Sequence, residues 1–459
     1  MKLTRRDALA GAVAAALGGG GIYELVDRLG GSSPKREPVS ALPPEQHVLD
    51  GVAVIQDNGV EVLVPPLHHE LVTARVRAGD ARAAQRELTD ALEALERRFE
   101  PTPAGLGITI GWGLPYFRKH VPEAWRTHGP HDRRARKLAL LDAVRFPSDP
   151  HDTILEDNDV AVLLRSDSSD HLAVAARALF DDLHVFDVTS IRKGFVGGGF
   201  DGRRSLPKKV AVAAGVPGAD LIPDTAQLFL GFTSTQRAGM GPRRIANFET
   251  LGYVDLRPSD YFRHGTGMHV SHVFEDLEAW YLNFDFRERV DTAFRPGLRV
   301  APETQTVRQG PHDVSTDAHV KRQFRDTGRI GHSGAIQTTS RLLRDVIADD
   351  GTHYPKGTAI PVRADFNTLD NPFAWSAQPA RDGMQASPAA GIHFIVFNPT
   401  SDDFHRNRLA MDGVLPDGTR LPLPARARGQ GFNAVLRTTH RQNFLVPPRQ
   451  HRSFPLAEL

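Results

Sequence analysis

The chain contains no cysteine. That one absence removes thiolate nucleophiles, iron–sulfur clusters, thiolate-held zinc and disulfides. An excess of charge of one sign is missing too. Lysines and arginines number 56 against 55 acids, which leaves neither a nucleic-acid footprint nor a polyacidic tail. Beyond the N-terminus there is no long apolar run, which argues against a polytopic membrane protein. Without disulfides the fold has to rest on its core, and 459 residues suffice for two ordinary domains or one large one. Histidine is plentiful, at 20 copies, and is the main source of ligands for any metal.

The N-terminus reads as an address. Thr4-Arg5-Arg6-Asp7 precedes a mild, Ala- and Gly-rich apolar run from Ala8 to Ile22. A membrane-spanning helix needs ~20 strongly apolar residues, and this run is shorter and weaker, as targeting segments are. The expectation is a twin-arginine signal, export by the twin-arginine machinery, and a mature protein in the periplasm, cell envelope or extracellular space. No clear Ala-x-Ala cleavage site follows, so cleavage and retention as a weak anchor both stay open.

Periodicity then organises the chain. Residues 31–47 hold Pro34, Pro38, Pro43 and Pro44 among polar residues and read as a linker. Two alternating runs flank Asp57-Asn58-Gly59, a hairpin signal. Asp80 to Phe99 places Leu88, Ala91, Leu92, Leu95 and Phe99 on one helical face. Leu106–Gly113 and Val160–Leu164 read as strands, and Ser169 is expected to cap a helix through Phe180. Strand, helix, strand, strand, helix is the order of a ferredoxin-like unit. The second half echoes it: strands over Ala246–Val254, Met268–Val273 and Gly391–Phe397, a helix start over Glu275–Trp280, and a helix over Ser401–Met411. A strand-poor stretch from Arg295 to Thr358 interrupts the echo, and loops of that length are usually functional or disordered. The expected layout is a signal segment over 1–30, a linker over 31–47, a first ferredoxin-like unit over 48–215, and a second over 216–459 with a long insertion.

Several segments carry a family likeness: Leu106–Phe117 (LGITIGWGLPYF), Asp152–Leu164 with the helix after it, Leu228–Phe232, Gly265–Trp280 (GTGMHVSHVFEDLEAW) and Gly391–Phe397. In order and spacing they resemble the dye-decolorizing (DyP-type) haem peroxidases, as a divergent branch. The resemblance implies an α+β fold of tandem ferredoxin-like units with antiparallel sheets, related to the dimeric α/β-barrels. It also implies haem b (iron protoporphyrin IX) and an activity that reduces hydrogen peroxide while oxidising a small organic reductant.

The family needs an axial histidine, a distal acid or arginine, and a closed pocket. His332, in Gly331-His332-Ser333-Gly334, is the favoured iron ligand, expected in a tight turn. His319, in Asp317-Ala318-His319-Val320-Lys321, is its rival. Val362-Arg363-Ala364-Asp365-Phe366 resembles the basic, extended segment that follows the ligand. On the distal side Ser234 stands where the family carries the acid of Gly-x-x-Asp-Gly. A literal motif of that form occurs upstream and would make Asp201 the acid. His272 is a substitute for the missing distal arginine. Arg341 and Arg363 are candidates for the haem, and Arg237, Arg243 and Arg244 are weaker ones for its propionates. Three other readings stand beside this one: a haem binder without efficient turnover, an exported metal enzyme using His264, His269, His272, His312, His319 or His332, and an envelope protein that kept the fold without the cofactor. His269 and His272 are three apart, which places them on opposite faces of a strand. Oligomeric state stays open.

Overall fold

The computed structural model describes residues 21–30, 33–36, 39, 41–57, 60–77, 79–198, 205–232, 254–255, 261–301, 306–308, 314–347, 351, 353–372, 388–424 and 431–459. The expected strand over Ala246–Val254 lies almost wholly outside them.

Alternation in the first half yields strands β1 (His68–Val76), β2 (Gly107–Gly113), β3 (Val160–Ser166) and β4 (Phe186–Phe195). Helix α2 (Ala81–Arg98) lies between β1 and β2. Asp80 caps it by accepting from the Arg82 N–H, and Leu88, Leu92 and Leu95 form its buried stripe. Helix α3 (Ser169–Ala176) lies between β3 and β4 and runs on as a π-helical turn over Arg177–Asp182. Ser168 rather than Ser169 precedes that helix, and the Ser169 hydroxyl donates to Asp27. The strands pair in the order β4-β1-β3-β2.

The second half repeats this with β5 (Thr266–Glu275), β6 (Phe366–Thr368), β7 (Gly391–Asn398) and β8 (Leu436–Val446), in the order β8-β5-β7-β6. The helix expected from Glu275 starts two residues later, as α4 (Leu277–Leu282) capped by Asp276, so Glu275 ends the strand instead. The strand-poor stretch holds two helices, α5 (Asp317–Thr327) and α6 (His332–Ser340). Helix α7 (Ser401–Met411) follows β7. The Ala53–Asp57/Val60–Val64 hairpin forms as expected, with its turn residues outside the described set.

The two units close into one ring. β5 pairs with β7 on one side and β8 on the other, β8 pairs with β2, and β6 meets β4 at Asn367–Phe195. Every pairing around this eight-stranded ring is antiparallel. Its interior holds Leu71, Leu163, Met268, Val270, Phe366, Ile395, Phe397 and Phe444. Gly111 faces that interior, where a Cβ would stand 2.7 Å from the Met268 methyl and 2.9 Å from the Phe444 Cβ. The fold is thus α+β with tandem ferredoxin-like units. Among the described residues no helix is long and apolar enough to cross a membrane.

The residues expected to precede the fold belong in part to it. Helix α1 (Gly21–Leu29) buries Ile22, Tyr23, Leu25 and Val26 in the main core. Its Tyr23 hydroxyl donates to the His69 carbonyl at 2.7 Å, and Asp27 meets His68 at 2.8 Å. In the proline-rich stretch Arg36 forks onto both oxygens of Asp167, each at 2.8 Å, and also donates to the carbonyls of Val64 and Pro65. Its side chain is 6 % exposed and that of Asp167 11 %. Removing one member of such a pair strands a shielded charge. Arg36→Ala is therefore expected to lower the unfolding free energy by about 3 kcal/mol in a urea titration. An unchanged midpoint would show that residues 33–36 only lie on the surface.

Candidate functional site

Strand alternation sorts the histidines before any chemistry is considered. On β5, Met268, Val270 and His272 point into the barrel, while His269, Ser271, Val273 and Glu275 point out towards the helices. His269 is fully engaged: its Nδ1 meets Asn443 Oδ1 at 2.7 Å, its Nε2 meets Ser271 Oγ at 2.6 Å, and its ring stacks on Phe404 of α7 at 3.4 Å. Helix α7 fills this part of the outer face, leaving a cavity of only about 10 Å³ beside Phe146, Phe404 and Arg441.

His272 lies inside the barrel, 1 % exposed, and neither ring nitrogen has a hydrogen-bond partner. Its ring centroid is 4.3 Å from that of His393 and 6.2 Å from that of His440. His393 Nε2 meets Asp370 Oδ2 at 2.9 Å, and Arg192 pairs with Glu156 nearby. Burial, followed by the charge of His393, holds His272 well below the usual histidine range, and burial does the same to His393, so these two rings are neutral.

The outer face of the second unit carries a different set. His332 is the first residue of α6, not a turn residue, and its ring packs on Phe432 with centroids 4.8 Å apart. The backbone of Gly431 lies against it so closely that a Cβ there would stand 3.0–3.2 Å from His332 atoms. His332 Nδ1 is shielded from solvent and has no partner. Burial, reinforced by the guanidiniums of Arg363 and Arg408, lowers its pKa to about 3, so the ring is a neutral donor, the form that binds a metal. Arg363 lies on the short strand Val362–Arg363 and forks onto Asp365, both contacts at 2.8 Å, with its guanidinium 5.6 Å above the Phe394 ring. Asp365 acts in turn on Glu275, a buried carboxyl whose Oε2 has no partner. Burial first and Asp365 second raise the Glu275 pKa to about 8. Four groups from three elements therefore interact in sequence: His332, Arg363, Asp365 and Glu275.

The structure brings His332 and Arg363 into one electrostatic neighbourhood and puts His272 on the opposite face of the sheet, with different neighbours. His319 is a half-buried residue in the first turn of α5, its Nδ1 without a partner. Arg341 ends α6 and donates to the Gly357 carbonyl at 3.0 Å. Asp201, Ser234, Arg237, Arg243, Arg244 and His312 lie outside the described residues. His264 has a positive φ of 68° and meets Glu45 at 3.1 Å. Among the described residues no group of three His, Asp or Glu side chains is placed to hold a metal ion.

Glu275 and Asp365 were missed as site residues. A signal for Asp365 existed, because the two-residue spacing from Arg363 places both on one face of an extended segment. Glu275 was hidden by a boundary: counted into the helix, it loses its place in the outward row of β5.

A family model described as a family of unknown function (DUF7405) matches residues 66–448. No curated protein matches the sequence. Among solved structures, a variant of DypB from Rhodococcus jostii RHA1 in complex with haem superposes with a TM-score of 0.50 at 13% identity, covering 85% of this chain and 95% of that one. The encapsulated DyP-type peroxidase from Mycobacterium smegmatis gives 0.47 at 12%, over 85% and 95%. A dye-decolorizing protein from V. cholerae gives 0.43 at 12%, over 85% and 97%. At such identity the DypB likeness establishes a DyP-type fold and nothing about chemistry.

Two pH effects of opposite sign follow. Glu275 has a raised folded pKa, so the folded state keeps its proton longer and stability falls as pH rises from the usual glutamate range through about 8. Glu275→Gln should therefore gain stability over wild type between pH 4 and pH 9, by on the order of 5 kcal/mol at about 1.4 kcal/mol per pKa unit. His272 has a lowered folded pKa, so the unfolded chain protonates first and stability falls as pH drops below about 6.5. Denaturant midpoints are expected to fall between pH 7 and pH 5, with a shallower decline in His272→Gln. Equal slopes in the two proteins would remove His272 from the account.

Proposed function

We propose, for a chain that belongs to the DUF7405 family of unknown function, that it is an exported haem-binding protein of peroxidase type. In this reading it takes hydrogen peroxide and a small organic reductant as substrates. The observation that carries the proposal is the His332 imidazole: neutral, partly buried, with a solvent-shielded ring nitrogen that no protein group satisfies. It belongs to the same unit of the fold as an arginine and a carboxyl whose proton affinity is tuned to the neutral range. The solved DypB relative of the same fold is a haem complex.

The residues present fit haem b. His332 would hold the iron through a ring nitrogen, and its low pKa keeps that nitrogen free of a competing proton. Arg363 presents a guanidinium suited to a carboxylate or a peroxide oxygen, and Asp365 fixes its orientation by the two-point contact. Arg341 is a weaker propionate partner, since it already serves the Gly357 carbonyl. When bound, the group supplies the redox chemistry of peroxide reduction. Glu275 supplies what a hydroxyl at Ser234 cannot, a carboxyl with a pKa of about 8 that can hold or release a proton near neutrality. Asp201 of the literal Gly-x-x-Asp-Gly motif is the alternative acid, His319 the alternative ligand, and His272 a residue of the barrel interior rather than of this site. A haem binder without efficient turnover is the second reading, favoured by the two-point hold of Asp365 on Arg363.

Reconstitution with haem is the test. The full chain should acquire a Soret band. His332→Ala should abolish it, while His319→Ala and His272→Gln retain it. Glu275→Gln should keep the band and lower turnover of peroxide with a phenolic reductant by about 100-fold. A blank spectrum after reconstitution, or an unchanged band in His332→Ala, ends this assignment.

A further inference from the structure

A second concavity lies in the other unit. It is a cleft of about 790 Å³, open on one side, between α1, α3 with its π-helical extension, and the outward faces of β1 and β4. That is the size of a small-molecule site. One wall is apolar and left in water: Ile191 is 49 % exposed and Val188 41 %, with Phe180 across from them. An exposed apolar surface of this kind inside a concavity is a ligand-facing surface.

The charges lining the cleft are unequal. Among the described residues, Glu24, Asp27, Glu70, Asp170 and Asp181 face it against only Arg28 and Lys193. Arg28 is taken up by Glu24 on its own helix, and Lys193 by Glu70 at 3.9 Å. Asp27 is held by His68 at 2.8 Å, but burial lowers the pKa of that imidazole, so it brings no charge. Three carboxylates therefore exceed the cations. On the floor, Glu70 is 4 % exposed and takes the Tyr23 hydroxyl at 3.3 Å, and Lys193 stands 5.5 Å above the Tyr23 ring. An excess of carboxylates beside an apolar wall suits an organic cation. A bare metal ion would leave the apolar wall without a role, and no three-ligand group is placed to hold one among the described residues.

We propose that this cleft binds a small organic cation, an ammonium group carried on an aromatic or alkyl body. The ammonium is held between Asp27 and Asp170, and the body lies on Ile191, Val188 and Phe180. The site is independent of the haem reading, since it uses none of the residues assigned there.

The test is calorimetric titration of the full chain at low salt with benzyltrimethylammonium, and with benzenesulfonate as the anion of similar size. The cation is expected to bind one to one, and the sulfonate to give no saturation. Ile191→Ser and Asp170→Asn, both surface changes, should each weaken binding about five- to tenfold without moving the melting temperature. Three results would overturn the proposal: no saturable cation binding, equal binding of the sulfonate, or unchanged affinity in both variants. Cation binding seen only after residues 1–20 are removed would also overturn it, by giving the cleft to the chain's own N-terminal segment.

Discussion

Closure of the barrel through β5 is the constraint on which the other features depend. β5 alone pairs with both β7 and β8 of its own unit, over nearly its whole length on each side. The β8 contact with β2 and the single β4–β6 bridge then join the two halves. Closing the ring removes free sheet edges, which in an open sheet of this size would invite pairing with other chains. It also turns the two-residue period of every strand into a strict division between inside and outside.

That division explains why chemically similar residues serve different ends. His269 and His272 are three positions apart, so one faces the helices and the other the interior. The outward one is used up by Asn443, Ser271 and Phe404. The inward one keeps both nitrogens unsatisfied among other imidazoles. A closed interior shared with Phe366 and Phe444 cannot give a charged imidazole the solvation it needs, so His272 and His393 stay neutral. On the outer face, Asp365 and Glu275 lie close enough to affect one another. Arg363 forks onto the first, and the second, buried and next to that carboxyl, is pushed towards the protonated form.

Much of the fold was legible because ferredoxin-like units are built from local periodicities. Leu88, Leu92 and Leu95 marked α2, and the alternation of Gly107–Gly113 marked β2. The tandem arrangement followed from repetition of that order. The site was less legible, for physical reasons. His332 sits in a glycine-flanked tetrapeptide that reads as a turn, yet Gly331 serves as an extended residue before the helix and Gly334 lets α6 approach Arg295. Glu275 lost its identity to a two-residue error in a boundary, where propensity is weakest as a guide. Closure itself, which decides the face of His272, is a long-range pairing with no local signature. Helix α1 escaped for a related reason: its short apolar run continues the composition of the residues before it, and only long-range packing of Ile22, Tyr23, Leu25 and Val26 makes it part of the core.

Those contacts bear on where an export leader could end. A boundary at residue 30 would carry away Ile22, Tyr23, Leu25 and Val26, four buried side chains of the main core. It would also expose the β1 carboxyl Glu70 and the His68 ring, which α1 covers through Tyr23 and Asp27. Apolar burial on this scale amounts to several kcal/mol, at ~1.5–3 kcal/mol per large side chain, a sizeable share of the margin by which a domain is stable. A leader that leaves the fold intact therefore has to end before Gly21. In that case Arg5-Arg6 would be separated from the first structural helix only by the apolar run before Gly21. For any such leader, the packing of α1, rather than a cleavage motif, would set the physical limit on its length.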